Sequence, residues 1–329
     1  MTDPNKIRTT VIIPNYNGKK YLEDCLTFLK RCKGTEFHTI VVDDASTDGS
    51  CEMVRDRFPR VELIRLSQNG GFAHAVNVGI DASKTEFVLL LNNDTVPEPG
   101  FVDALEKTIA KSKRCFSASA KMLSMHEPEV IDDCGDLYCA LGWAFARGKG
   151  ESSARFTAPA GIFSACGGAA IYRRKVLDKI GGFDDLHFAY LEDVDVGYRA
   201  QLFGYRNVYC PEAVVYHAGS ATSGSRYNAF KAELSAQNTV YVAVKNMPAL
   251  QLLLNLPLLI IGCLVKLTFY TRKHLGGAYF KGLAKGISLS LSPEGKKRRI
   301  RPGISGFWEY LRVQLLLWRN LLALSIKIR

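Results

Sequence analysis

Apolar runs and polar breaks alternate along the first 220 residues with a period of about 25 residues, the rhythm of repeated strand–helix units. Residues 11–14 (VIIP) form a short apolar run. Tyr21, Leu22, Cys25, Phe28, Leu29 and Cys32 then recur at helical spacing. Residues 39–44 (TIVVDD) predict a second buried strand, with Ser46 and Asp48 placed to cap a following helix. Residues 61–66 predict a third strand, 71–81 a helix, and 86–91 (EFVLLL) a central strand ending in Asn92-Asn93-Asp94. Helices over 173–180 and 191–203, a strand over 207–217 and a long helix over 227–245 complete the pattern. Such a series predicts an α/β domain with a mixed, mostly parallel sheet flanked by helices.

Residues 124–163 break the rhythm. They are rich in Gly, Ala and Ser and carry Asp132, Asp133 and Asp136. A loop-rich insertion of this size inside a domain is usually functional.

After residue 245 the pattern changes. Residues 246–265 hold no charge over twenty positions, about the length of a membrane-crossing helix. Asn246, Pro248, Gln251, Asn255 and Pro257 interrupt them, which predicts a membrane-embedded or interfacial helix rather than a simple span. The competing reading is a buried helix covering the preceding domain. Lys296-Lys297-Arg298-Arg299 follows, then a terminal stretch with Trp308, Tyr310, Leu311, Leu315, Leu316, Leu317, Trp318, Leu321 and Leu322. Aromatics on that stretch, with Arg312, Arg319 and Lys327, predict an interfacial amphipathic helix.

Charge sharpens the division. Residues 266–329 carry 14 Lys and Arg against Glu294 and Glu309, a net of +12, whereas residues 1–265 are within one charge of neutral. A near-neutral domain, 1–245, with a basic helical tail, 246–329, predicts attachment to an anionic membrane surface. The long uncharged segment beside the charges favours membrane over nucleic acid. The polar first ten residues and nine scattered cysteines, with no C-x-x-C, predict reduced thiols and the cytoplasmic face of the membrane. Nothing in the pattern fixes an oligomeric state.

In an open α/β sheet, ligands lie at the carboxyl ends of strands. Three polar clusters stand there: Asn15-Tyr16-Asn17, Asp43-Asp44 and Asn92-Asn93-Asp94. Asn69-Gly70-Gly71 allows a close backbone approach, but it lacks the G-x-G-x-x-G spacing and follows the third strand. A nicotinamide dehydrogenase is therefore disfavoured, as is an NTPase with a Walker lysine. Asp94 suits a hard divalent ion, and His217, ending a strand, carries an imidazole acceptable to manganese. Leu191-Glu192-Asp193-Val194-Asp195 opens a helix with three carboxylates in four positions, more than capping requires. Crowded like charges raise one another's pKa, which suits a general base.

The ordered set VIIPNYNG, VVDDASTDGS, NGGFAHAVNVG, LLLNNDTVPEPG, CGGAAIYRR, GGFDD, YLEDVDVGYRA and VVYHAGS resembles the family 2 inverting glycosyltransferases of GT-A fold. Within that family it is most similar to the bacterial cell-surface polysaccharide branch, which includes rhamnosyltransferases. The resemblance covers residues 8–245. It implies transfer of a sugar from a nucleoside-diphosphate sugar to a hydroxyl of a glycan acceptor, with a Mn²⁺ or Mg²⁺ cofactor. Position by position, it implies that Asp43, beside Asp44, reads the nucleobase, framed by Pro14 and Tyr16. Asn69, Gly70 and Asn93 fall on the donor side, and Gly167-Gly168 shapes the sugar pocket. Asp94 and His217 hold the metal, and Asp193 is the catalytic base. Glu192 and Asp195 tune it or hold acceptor hydroxyls. Asn92 replaces the first aspartate of the family's D-x-D, leaving one fewer anionic ligand. The basic tail adds an expectation of its own: the acceptor is lipid-linked.

Two other readings compete. A nucleotidyltransferase would carry a Gly-rich first loop with Arg or Lys, which Asn15-Tyr16-Asn17-Gly18 lacks. A non-catalytic partner subunit would not need Asp94, Asp193 and His217 together.

Overall fold

The computed structural model describes residues 7–219, 227–300 and 306–328, with side chains through 324; Ser220, the first six residues and the side chain of Lys327 lie outside the described residues. The chain runs β1 (Thr9–Asn15), α1 (Lys19–Leu29), β2 (Phe37–Asp43), α2 (Ser50–Arg57), β3 (Glu62–Arg65), α3 (Phe72–Ala82), β4 (Phe87–Leu91), β5 (Thr95–Pro97), α4 (Phe101–Ala110) and β6 (Cys115–Ser124). The predicted loop-rich insertion in fact holds short strands: β7 (Ile131–Asp133), β8 (Asp136–Tyr138), β9 (Ala144–Ala146) and β10 (Ala160–Ile162). Then follow β11 (Ala169–Arg173), α5 (Arg174–Ile180), α6 (Glu192–Leu202), β12 (Arg206–His217) and α7 (Ala229–Asn246). The last helices are α8 (Ala249–Arg272), α9 (Gly276–Leu291), α10 (Pro293–Arg298) and α11 (Phe307–Ile328).

The main sheet runs β3-β2-β1-β4-β11-β6-β12-β10. Strands β3, β2, β1 and β4 are parallel, as are β6 and β12, and β11 lies antiparallel between β4 and β6. The two turns of direction cancel, so β12 points the same way as β1, β2 and β4. The carboxyl ends of all four lie along one edge, with Asn15 and Asp43 in register.

Period-two alternation places the core. Val11 and Ile13 face one layer with Leu22 and Leu26 of α1 and Phe101 and Leu105 of α4. Ile12 faces the other with Val76 and Ile80 of α3, Leu177 of α5 and Val196 of α6.

A third cluster joins residues on both sides of position 245. Tyr138 and Phe163 of the insertion pack with Val194 and Tyr198 of α6, Val242 of α7, Leu259 of α8, and Val313 and Leu317 of α11. Each fully buried apolar side chain contributes roughly 1.5–3 kcal/mol, so the tail is built onto the layer of the insertion and α6. It is not appended beside it.

Candidate active site

The strand ends are stitched by buried polar groups. Asn93 Nδ2 donates to Asn15 Oδ1 (2.7 Å), and Asn15 Nδ2 donates to Asp43 Oδ2 (2.9 Å). The Ser46 backbone N–H donates to Asp43 Oδ1 (2.9 Å). Asp43 is thus fully buried with both oxygens engaged. The carboxylate braces the strand ends from within, as does Asn93. Tyr16 instead stands 42% exposed beside half-buried Pro14, a free aromatic face on the edge.

Asp44 organises the glycine loop. Its two oxygens accept from the N–H groups of Gly70 (2.8 Å) and Gly71 (3.0 Å), and Asn69 Oδ1 also accepts from Gly71. Burial pushes the Asp44 carboxyl up, against the pull of those two amides. Gly71 has φ +84°, and a Cβ there would stand 2.6 Å from the Phe188 carbonyl oxygen, so no larger residue fits.

At the other end, β12 delivers His217 beside Asp94, with Nε2 and Oδ1 3.3 Å apart. Asp94 is buried and the imidazole mostly so. The other ring nitrogen, Nδ1, lies 2.7 Å from Asp132 Oδ2, and Lys149 pairs with the second Asp132 oxygen. Burial pushes the His217 pKa down, but hydrogen bonds to Asp132 and Asp94 more than reverse this and raise it to about 9. Those bonds, with Lys149, hold Asp132 well below the usual carboxylate range despite its burial. Adjacent ligands of an octahedral ion are about 3 Å apart. One carboxylate and one imidazole at this spacing therefore suit a divalent ion with remaining positions for phosphate and water.

Gly167-Gly168 links this pair to Asp193. The Gly168 carbonyl accepts from the Asn92 N–H (2.8 Å), and Gly167 N–H donates to Asp193 Oδ2 (3.1 Å). Asp193 Oδ1 accepts from the Val194 N–H (2.7 Å), an interaction of the helix start. Burial pushes the Asp193 carboxyl up, against the opposing pull of these amides.

Asp193 is not alone. Ligand atoms of Asp133, Asp136 and Cys166 lie within 4.8 Å of one another. Burial, then the charges of Asp132 and Asp193, raises Asp133 to about 7; burial, then Asp133 and Asp193, pushes Asp136 up as well. Glu192 is buried with Oε2 unpartnered, and burial followed by Asp193 pushes it up as well. Burial and repulsion thus act in the same direction on Asp133, Asp136 and Glu192, each disfavouring the charged form. The insertion's acidic content was the sequence signal; its two roles were not legible. Consecutive residues of β7 point opposite ways, Asp132 to His217 and Asp133 to the Asp193 cluster.

Asp195 does not belong to this face, contrary to expectation. It is fully buried, its oxygens held by Arg199, Lys245 Nζ (2.8 Å) and Asn246 Nδ2 (2.8 Å). Two positions along a helix turn a side chain to a different side. Asp184, bridged by Lys245 (2.6 Å) and paired with Arg298, belongs to the same network. Asp184, His187 and Asp195 also approach one another, but Lys245, Arg199 and Arg298 already neutralise the acids there.

The approach to Glu192 is strained. Phe188, Tyr190 and Leu191 have φ of 59°, 68° and 65°, each costing roughly 1–3 kcal/mol. Asn238 of α7, fully buried, donates its amide to the carbonyls of His187, Ala189 and Tyr190 at 2.8–3.0 Å. The Phe188 carbonyl accepts from the Ala73 N–H at the start of α3. One strained segment thus ties the glycine loop to the Glu192-Asp193 carboxylates.

Comparison with known proteins follows the same lines. The sequence profile of glycosyl transferase family 2 matches residues 10–181. The N-acetylglucosaminyl-diphospho-decaprenol L-rhamnosyltransferase of Mycobacterium tuberculosis is 28% identical over 243 residues, covering 65% of this chain and 77% of that protein. The mannosyltransferase PcManGT from Pyrobaculum calidifontis, solved with GDP-Man and Mn²⁺, superposes with a TM-score of 0.55 at 20% identity, covering 95% of this chain and 88% of that one. GalNAc-T7, solved with UDP, GalNAc and Mn²⁺, gives a TM-score of 0.60 at 16% identity over 74% of this chain and 48% of that chain. The structural likenesses establish the GT-A fold.

Proposed function

The chain belongs to glycosyl transferase family 2 and is a glycosyltransferase, and from that premise we propose that it inverts the anomeric centre of a nucleoside-diphosphate sugar while joining it to a lipid-linked glycan. One observation carries the proposal. The Gly167-Gly168 backbone places Asp193 on one side and Asn92, which leads into Asp94, on the other. In this reading the base for the acceptor and the ligands for the leaving group are joined through one glycine pair.

In this reading Tyr16 and Pro14 frame the base, and the loop held by Asp44 lets the donor approach the backbone. Asp94 and His217 hold a Mn²⁺ or Mg²⁺ ion, which when bound neutralises the charge that develops on the departing diphosphate. Asp193, in its ionised form, takes the proton of the acceptor hydroxyl as that oxygen attacks the anomeric carbon from the face opposite the diphosphate. The amides of Gly167 and Val194 keep the carboxylate aimed. Glu192 has an unpartnered oxygen to offer an acceptor hydroxyl.

The lipid-linked acceptor rests on two supports. The mycobacterial relative is named for a diphospho-decaprenol acceptor. The second support is α8, long and apolar enough to cross a membrane, with a mean hydropathy of 2.2. Its polar interruptions face inward: Gln251 and Asn255 bond Gln314 of α11, and Tyr198 of α6 reaches Gln251. Leu250, Leu253, Leu254, Ile260, Ile261 and Leu264 face outward, each at least half exposed. An amphipathic helix with its polar stripe inside and its leucines outside is inverted for water and suits lipid. Contacts at Gln251, Asn255, Leu259 and Gly262 run along α8. The helix therefore lies on the domain, in the manner of an interfacial anchor on the cytoplasmic leaflet. Within the chain, Lys281 and Lys285 pair with Glu233, Arg298 with Asp184 and Arg312 with Glu309. Apolar insertion thus contributes more than the tail's net charge suggests.

The test is a panel of nucleoside-diphosphate sugars, supplied with Mn²⁺ and vesicles bearing a glycan on a lipid diphosphate. Release of nucleoside diphosphate together with a product of opposite anomeric configuration is expected. Consumption of none of the donors, or retention of configuration, contradicts the proposal.

A further inference from the structure

The Asp132–His217 contact has no place in the donor, acceptor or metal roles assigned above. It joins distant parts of the chain through β6, which pairs β7 on one side and β12 on the other. The imidazole has one nitrogen on each side of its ring. Nε2 faces Asp94 Oδ1 at 3.3 Å and Nδ1 faces Asp132 Oδ2 at 2.7 Å. For Nε2 to present a lone pair to an ion, Nδ1 must carry the hydrogen, and an acceptor at Nδ1 fixes both that tautomer and the plane of the ring. Asp132 cannot itself reach an ion on the Nε2 side while it is bonded to Nδ1. Its second oxygen is occupied by Lys149, which fixes the carboxylate's own orientation. The position matters because Asn92 and Asn93 are uncharged, which leaves Asp94 as the one acid of that strand end.

We propose that Asp132 is a positioning residue of the metal site, locking His217 with Nε2 turned toward Asp94 and supplying from behind the ring the negative charge that Asn92 does not. The proposal rests on the reading of Asp94 and His217 as the metal pair. Outer partners of this kind typically change metal affinity by about 10- to 100-fold.

The experiment measures Mn²⁺ affinity from the free-ion EPR signal, with and without uridine diphosphate. It uses the full-length wild type and the Asp132→Ala, Asp132→Asn and His217→Ala variants, with thermal melts to verify folding. Asp132→Ala should bind Mn²⁺ about 10- to 100-fold more weakly. Asp132→Asn keeps an acceptor opposite Nδ1 without the charge and should fall between Asp132→Ala and wild type, a rescue that a purely architectural role would not give. His217→Ala should be the weakest. Wild-type affinity in folded Asp132→Ala, alongside a loss in His217→Ala, overturns the role of Asp132 alone. A wild type that does not bind Mn²⁺, or a His217→Ala variant that binds as well as wild type, overturns the metal-pair reading and Asp132's role with it.

Discussion

Lys245 Nζ lies 2.8 Å from Asp195 Oδ2 and 2.6 Å from Asp184 Oδ2, with all three side chains at most 4% exposed. The last turn of α7 is thereby fastened to the helix that begins with Glu192 and Asp193. Arg298 of the basic run reaches the same Asp184. Removing one member of a buried ion network leaves an uncompensated charge, which typically costs about 3–5 kcal/mol. Lys245→Met should lower unfolding stability by that order in urea titrations. An unchanged midpoint would mean the network is not holding α7 to α6. A chain cut at residue 245 should fold poorly for the same reason, since it loses Asn246, Arg298 and the α11 packing on Tyr198.

Asn238 is expected to act through the strained segment it holds. Asn238→Ala removes the donors to three carbonyls ahead of Glu192. Turnover should fall by about tenfold or more, because a small misplacement of a catalytic group has a large kinetic effect. Donor affinity should change little. Equal losses in donor affinity and turnover would place Asn238 in general folding instead.

The carboxylate cluster has a pH signature of opposite sign to the ion network. Asp133 is raised to about 7 from an ordinary value of 3.8. Its folded form holds a proton that the unfolded chain has released, so stability should fall as pH rises between those values. Asp184 and Asp195 are held below the ordinary value, and their contribution is present above it and lost as pH falls. Asp133→Asn keeps an acceptor for the Gly135 N–H. It should raise Tm by roughly 2–4 °C at pH 8 and flatten the slope between pH 4 and 7. A variant melting below wild type at pH 8 would contradict the account of the cluster.

Membrane attachment should depend on the outward face of α8 more than on charge count. Leu253 and Ile260 are 67% and 50% exposed, and burial of such a side chain contributes roughly 1.5–3 kcal/mol. Leu253→Glu with Ile260→Glu should lower binding to acidic vesicles by about tenfold or more in sedimentation assays. Raising salt on the wild type should leave a resistant remainder, since exposed charges are screened beyond about 8 Å at physiological ionic strength. Undiminished binding by the double variant would place the contact elsewhere.

The strands carrying Val11–Ile13, Val41–Val42 and Leu89–Leu91 were readable because apolar runs bounded by polar ends leave few alternatives. The strand-end positions of Asp94 and His217 were readable from the polar residues that close their apolar runs. The antiparallel β11 was not readable, since a strand's direction depends on its neighbours and not on its own composition. The polar breaks in α8 looked like flaws in a membrane segment until Gln314 was found opposite them. Asp195 looked like a support for Asp193, and the positions of Arg199, Lys245 and Asn246 that engage it instead are not legible in the sequence. Asp132 and Asp133 looked like loop acids, because the sequence does not say that β7 lies between His217 and the Asp193 cluster.

The central claim is that Asp193 is the base of a glycosyl transfer, and the most direct test is a single-turnover comparison of wild type with Asp193→Asn. Donor affinity, measured separately by calorimetry with the nucleoside-diphosphate sugar that the wild type consumes, should be nearly unchanged, because the carboxylate's contacts are to Gly167 and Val194. The transfer rate should fall by about 10²–10⁴-fold. A transfer rate near that of the wild type in the folded variant would contradict the account.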